Sequence, residues 1–143
     1  MSVYKEEKIN GNIIHFSVGA FIKRNNQYLL IDRIKPPYGF AGIAGHVDSE
    51  ETPEQALNRE VNEESGLKVI SQKLIFDEFI DWNKCHKFPE IGGHHWYVYE
   101  CDVEGEVKLD TNESKSIEWY TVDEIKNLHL EPVWDYWFKK LEF

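Results

Sequence analysis

Three glutamates crowd into one short run, REVNEESG, residues 59 to 66. At 100° per residue, Glu60 and Glu64 lie one helical turn apart, and Glu63 lies beside Glu60. Like charges at that spacing weaken an isolated helix. A hard divalent cation would relieve the repulsion. Mg²⁺ takes carboxylate oxygens and keeps several waters that substrate phosphates can replace. The same run also reads as an ordinary solvated acidic face, and these eight residues alone leave the two readings level.

The element that must carry the acids is clearly marked. Thr52 can cap a helix, Pro53 suits the first helical position, and Gln55 closes a Thr-x-x-Gln capping box. Gly66 is placed to end the helix in a left-handed cap. The expected helix runs from about Pro53 to Ser65. Ala56, one turn before Glu60, keeps the acidic face low, and Leu57 and Val61 form an apolar pair that can dock on a sheet.

The rest of the chain reads mostly as strands. NIIHFSVGAFIKRNNQYLLIDR, from Asn12, predicts two strands joined at Asn25-Asn26, residues that tolerate the left-handed conformation of tight turns. Residues 34–51, with two prolines and three glycines, are expected to be largely loop. LKVISQKLIFDEFIDW predicts one long or two short strands. HHWYVYECDV predicts another, with Trp96, Val98 and Glu100 on one face and Tyr97, Tyr99 and Cys101 on the other. SIEWYTV is a short strand, and helical pieces are expected near 122–127 and 132–140. The first ten residues read as an edge strand or a loose arm. Strands, helix, strands, helix is the order of a mixed sheet packed between helices, in a single domain covering residues 1–143.

Composition limits the partners. The net charge is -10, from 26 acids against 16 Lys and Arg. That argues against binding a nucleic-acid backbone or an anionic membrane surface. A small anionic substrate remains compatible if a metal ion sits between it and the protein. Two cysteines, Cys85 and Cys101, make no disulfide framework. The start lacks the apolar core of a signal peptide, and no apolar run is long enough to span a bilayer. The expectation is a soluble cytoplasmic protein.

The segment GHVDSEETPEQALNREVNEESGL, Gly45 to Leu67, resembles the Nudix box, Gly-x5-Glu-x7-Arg-Glu-U-x-Glu-Glu-x-Gly-U with U aliphatic. Gly45, Glu51, Arg59, Glu60, Glu63, Glu64 and Gly66 fill its fixed positions, and Val61 and Leu67 fill the aliphatic ones. At average residue usage such a coincidence is on the order of one in a billion per starting position. The resemblance implies an α/β/α sandwich with a mixed sheet. It also implies hydrolysis of a nucleoside diphosphate linked to another group, assisted by Mg²⁺ or Mn²⁺. By position, Glu60 and Glu64 become metal ligands, with Glu63 a third and the Gly45 carbonyl a backbone ligand. Glu51 and Arg59 become a bracing ion pair that orients the acids. The family's general base varies, and Glu60, Glu63 and Glu113 are the candidates here. Glu113 lies in DTNESKSIEWYTVDEI, on a loop before a strand with a Trp. Glu118 is the weaker choice there.

Substrate marks are fewer. The Ser-Gln-Pro-Trp-Pro-Phe-Pro run of NADH pyrophosphatases is absent. So is the proline that many ADP-ribose hydrolases carry about sixteen residues past the box, and so is the tyrosine of dinucleoside-polyphosphate hydrolases. By elimination the chain resembles the small group that converts nucleoside triphosphates, or modified nucleotides, to monophosphates. ADP-ribose or a nucleotide sugar is the alternative. A nucleotide sensor of the same fold usually loses box acids, which this chain keeps. An isomerase of the isopentenyl-diphosphate type would call for a cysteine motif that WNKCHK matches poorly. Tyr38, Phe40, Trp82 and Trp96 are the rings that could stack on a base, against the commoner fate of aromatics as core. Arg33 and Lys35 could touch phosphates.

CHKFPEIGGHHW holds Cys85, His86, His94 and His95 and invites a zinc reading, but the spacing fits no common structural zinc pattern. A substrate loop ending at Gly92-Gly93 is expected instead, with His94 or His95 placing a substrate group. In the last helix, Val133, Trp134, Trp137, Phe138 and Leu141 form an apolar stripe that reads as core, or alternatively as the contact of a homodimer.

Overall fold

The computed structural model describes residues 4–9, 11–83 and 92–141; Cys85 and His86 lie outside the described residues. Strand β2, Asn12–Arg24, is buried at every position from Ile14 to Ile22. A strand buried on both faces needs a layer on each side of it. It pairs antiparallel with β1 (Glu6–Ile9), β3 (Gln27–Arg33) and β5 (Ile43–His46), and parallel with β7 (His94–Glu104). The main sheet runs in the order β4-β3-β2-β7-β6, with β4 at Phe40–Ala41 and β6 at Lys68–Ile80; β8 (Ser114–Thr121) joins β3. Asn25 and Asn26 both have positive φ, 53° and 62°, and make the tight turn between β2 and β3.

The two faces of the sheet carry different helices. On one face Ser17 pairs with Trp96 and Gly19 with Val98. Helix α3, Pro132–Lys140, lays Trp134 there, so close that a Cβ at Gly19 would lie 3.0 Å from the indole. On the other face lie Tyr97 and Tyr99, and the Tyr99 hydroxyl donates to Glu54 of α1, Pro53–Ser65, at 3.2 Å. The architecture is therefore an α/β/α sandwich around a mixed sheet. Val133, Trp134, Trp137 and Phe138 are all buried, with Phe21 edge-on to both Trp134 and Phe138. The apolar stripe of α3 thus belongs to this chain's own core and is not open to a second copy. No helix among the described residues is long and apolar enough to cross a membrane.

Local signals at α1 translate directly. The Thr52 hydroxyl accepts from the Gln55 amide at 3.2 Å and the Gln55 side chain accepts from the Thr52 amide at 2.9 Å. Gly66 takes φ 75° and donates to the Asn62 carbonyl at 2.9 Å. Residues 34–51 are largely loop, as expected, with two short strands inside them, and one helix is shorter than expected. The strands are β4 and β5, held through backbone pairing with β3 and β2. At two and four residues, Phe40–Ala41 and Ile43–His46 are too short to show an alternating apolar signal, so the pairing left no clear trace in the side chains. Helix α2 spans only Val122–Ile125, closed by a second capping box between Thr121 and Glu124.

Because the left-handed conformation costs an L-residue about 1–2 kcal/mol, Gly66→Ala is expected to lower unfolding free energy by about that amount in urea titration.

Candidate active site

Strand β5 and helix α1 meet where Gly45 faces Glu60. A Cβ built on Gly45 would lie 2.2 Å from the Glu60 carboxyl carbon, so only glycine lets that carboxylate sit against the strand. Glu64, one turn further on, is buried, and among the described residues its Oε2 has no hydrogen-bond partner. A solvated acidic face would put this acid in water; the structure buries it, because the Glu60–Glu64 edge of the helix turns toward the sheet alongside Ala56, Leu57 and Val61. Glu63, by contrast, is 56% exposed.

Arg59 organises these groups. Its Nε donates to Glu51 Oε2 at 2.8 Å and its Nη2 to Glu51 Oε1 at 2.9 Å, a bidentate pair. Nη2 also donates to the His46 carbonyl at 3.0 Å. Nη1 donates to Glu60 at 2.7 Å and to Glu63 at 3.4 Å. Every N–H of the guanidinium thus has an acceptor. One side chain ties the loop (Glu51), the strand (His46) and the helix (Glu60, Glu63) into a fixed arrangement, and Asp48 adds an ion pair at 3.7 Å.

The electrostatics follow from burial. The hydrogen bond from Arg59 holds the Glu51 carboxyl below its usual range. Burial pushes Glu60 up to about 7 despite the neighbouring Arg59 charge. Burial pushes Glu64 well above the carboxylate range, and the Glu60 charge adds to the effect. A half-buried and a buried carboxyl resisting ionisation side by side, the buried one with an oxygen lacking a partner among the described residues, form a donor set that a divalent cation satisfies. Carboxylate oxygens suit a hard ion such as Mg²⁺ or Mn²⁺.

A cavity of about 670 Å³ opens over this centre. Among the described residues its wall includes Gly45, Arg59, Glu60, Glu63 and Glu64, and on the other elements Arg33, Lys35, Glu113 and Trp96. Lys35 and Glu113 pair at 3.2 Å on the wall. Trp96 is buried, donates from its indole to Asn83 at 2.9 Å and packs edge-on to Trp134 and Trp137, so it forms floor rather than a free stacking face. Tyr38, Phe40 and Trp82 do not line the cavity, which corrects the expectation that they face a base. Tyr38 is 58% exposed and Trp82 48%, the latter edge-on to Tyr136. Phe40 packs against Tyr120 across β3. Glu118 accepts from the Tyr120 hydroxyl at 3.2 Å and is outside the cavity wall.

A profile of the NUDIX domain matches residues 14–141. The chain belongs to the Nudix family. It is 31% identical over 90 residues to the NAD-capped RNA hydrolase NUDT12 of Homo sapiens, covering 63% of this chain and 18% of that protein. It is 33% identical over 105 residues to the NAD-capped RNA hydrolase NudC of Salmonella agona (strain SL483), covering 73% of this chain and 38% of that protein. The chain therefore spans well under half the length of these curated relatives. Among solved structures, a Nudix-family hydrolase from Clostridium perfringens superposes with a TM-score of 0.63 at 27% identity, over 80% of this chain and 86% of that one. The E. coli ORF135 protein gives 0.69 at 21% identity, over 88% and 86%, a likeness of fold. The Nudix box is thus the stretch that wraps Arg59, from Gly45 on β5 to Leu67 beyond α1.

Sequence reasoning missed part of the cavity wall. His46, Tyr4 and the buried Glu131, itself pushed up to about 7 by burial, all line it. His95 points elsewhere and bonds Asp77, whereas His94 is buried and 3.2 Å from His46. Tertiary packing brings these residues together from the N-terminal segment, from β5 and β7 and from the start of α3, so no local spacing could have marked the set.

Glu60 and Glu131 are protonated more readily folded than unfolded, so the folded protein binds more protons between about 4.5 and 7. Without metal, the stability these two groups contribute is expected to be fully present below that window and to be lost as pH rises through it. Thermal melts in EDTA across pH 4.5–8 check this, and added Mg²⁺ is expected to restore the melting temperature chiefly at the alkaline end.

Proposed function

We propose that this chain hydrolyses a pyrophosphate bond in a nucleoside diphosphate derivative with Mg²⁺ or Mn²⁺. The observation that carries the reading is the pair of the half-buried Glu60 and the buried Glu64 beside Gly45, with one Glu64 oxygen lacking a partner among the described residues, at the edge of a cavity sized for a nucleotide. The Gly45 carbonyl, Glu60, Glu63 and Glu64 would hold the ion. When bound, it offsets the pyrophosphate charge and makes water a stronger nucleophile at neutral pH.

The chain's own residues do the rest. Arg59 is a positioning residue, fixing Glu60 and Glu63 while Glu51 consumes the other side of its guanidinium. Arg33 and Lys35 place positive charge on the cavity wall, where phosphate oxygens would lie. Glu113 is the general base in this reading. It reaches the same cavity from the turn before β8, outside the Arg59 network, and its lone ion-pair partner among the described residues is Lys35. A carboxylate at that place can take the proton of the attacking water without disturbing the cation's ligands.

The substrate is a small nucleotide, first a (d)NTP or modified nucleotide converted to the monophosphate. The missing Ser-Gln-Pro-Trp-Pro-Phe-Pro run and the absence of other specificity marks support this. A dinucleotide of the NAD type is the second reading, favoured by the two relatives at 31% and 33% identity. The charge of -10 weighs against an RNA chain as the bound partner.

A screen of nucleotides with Mg²⁺, scoring phosphate, pyrophosphate and nucleoside monophosphate, is expected to show triphosphates cleaved fastest. Cleavage of NAD or ADP-ribose ahead of every triphosphate would move the substrate and leave the chemistry in place. Tight binding without turnover of any nucleotide would replace the hydrolase with a sensor.

Glu64→Gln is expected to lower kcat/KM by roughly 10²-fold or more, since a cation ligand contributes several kcal/mol to the transition state. Its metal-free stability should be unchanged or raised, because a neutral amide replaces a buried acid. Arg59→Lys is expected to cost roughly 10- to 100-fold by loosening the acids it orients.

A further inference from the structure

Beside the carboxylate centre stands a cluster that the Nudix chemistry does not use. Strands β5, β2 and β7 lie side by side. His15 of β2 is in register with His94 of β7, and Ser17, two residues on and therefore on the same face, is in register with His46 of β5. Three imidazoles from three strands thus converge at one end of the sheet, each offering a nitrogen within 4.8 Å of the others.

We propose that His15, His46 and His94 form a second metal site, for a borderline transition-metal ion and above all Zn²⁺, with one coordination position open to the cavity. The spacing fits. Zn–N bonds of about 2.0–2.1 Å in a tetrahedron put neighbouring nitrogens about 3.3–3.4 Å apart. His46 Nε2 and His94 Nε2 are 3.2 Å apart. The third nitrogen, from His15, lies within 4.8 Å of both.

The outer contacts fit as well. His94 Nδ1 donates to the Asn83 carbonyl at 2.7 Å, so the neutral ring keeps its lone pair on Nε2, the atom facing His46. Asn83 is itself fixed by the Trp96 indole. His15 Nε2 donates at 3.0 Å to Glu6, its cross-strand partner, which leaves the lone pair on Nδ1. A carboxylate and a backbone carbonyl holding the far nitrogens of two imidazoles is the usual second layer around a histidine-bound metal. The His46 backbone is held by Arg59, and its ring is stacked on Tyr4 at 4.2 Å. With His94 Nε2 as acceptor, the His46–His94 hydrogen bond is donated by His46. An ion bound there takes that proton's place, and neutral His46 carries its proton on Nδ1 instead.

The two centres differ in ligand chemistry. Three neutral imidazoles favour Zn²⁺ over Mg²⁺, whereas the carboxylates of α1 favour Mg²⁺ or Mn²⁺. His46 and His94 line the same cavity as Glu60 and Glu64. The fourth position of a tetrahedral Zn²⁺ would therefore take a water or an anionic oxygen of whatever fills that cavity. This site does not depend on the hydrolytic reading, because metal binding is read without turnover.

The test uses the full chain, stripped of metal, loaded with excess Mg²⁺ and then titrated with Zn²⁺. Wild type is expected to retain one zinc per chain after desalting, by elemental analysis. Glu64→Gln is expected to keep it, and His15→Gln and His94→Gln, each losing one of three ligands, to bind it at least roughly 100-fold more weakly, beyond the loss of an outer-shell partner. A melting-temperature rise with Mg²⁺ in the histidine variants shows that their fold and carboxylate centre persist. Should a variant fail to fold, histidine ring ¹⁵N shifts of the wild type on adding Zn²⁺ read the ligands directly, and three rings are expected to move. No retained zinc, zinc lost in Glu64→Gln but kept in both histidine variants, or unmoved histidine rings would each overturn the site.

Discussion

One guanidinium holds three elements together. Arg59 spends every N–H it has on Glu51, the His46 carbonyl, Glu60 and Glu63. Bidentate pairing with Glu51 fixes the plane of the group, and the remaining donors then have no choice of direction. This explains how a helix can carry three acids so close together. Repulsion along α1 is offset by one cation supplied from the helix itself and locked in place by the loop before it. Lysine, a single point charge, could satisfy only part of this set.

Around that brace the sheet decides what is buried. Gly45 removes the side chain that would otherwise collide with the Glu60 carboxyl. The acid can then enter a poorly solvated niche, where burial makes ionisation costly. Glu64 goes deeper, and burial pushes it in the same direction. Such a niche is a poor choice for stability and a good one for gripping a hard cation. It is the kind of local conflict that functional sites carry while the rest of the fold stays consistent.

The cavity also joins two different chemistries. Oxygen donors come from a helix and nitrogen donors from three strands, and His46 stands between them, one residue after Gly45. The Arg59 bond to the His46 carbonyl ties the placement of one set to the other. Trp96 and Trp134 close the floor beneath both, so the aromatic core and the site share a wall.

Helix α1 was legible in the sequence because its determinants are local. The Thr52–Gln55 box, Pro53, Gly66 and the acid spacing all act within one or two turns. The turn at Asn25-Asn26 and the two faces of β7 were legible for the same reason. The role of Arg59 came through its match to the Nudix box, again a contiguous pattern. Strands β4 and β5 were not legible, since their pairing is made by backbone groups that every residue possesses. The depth of Glu64, the exclusion of Tyr38, Phe40 and Trp82 from the cavity, and the meeting of His15, His46 and His94 were decided by tertiary structure alone. The depth of Glu64 depends on which edge of α1 docks on the sheet, and the histidine cluster depends on strand register between segments tens of residues apart, where a shift of one residue would turn those rings to the other face.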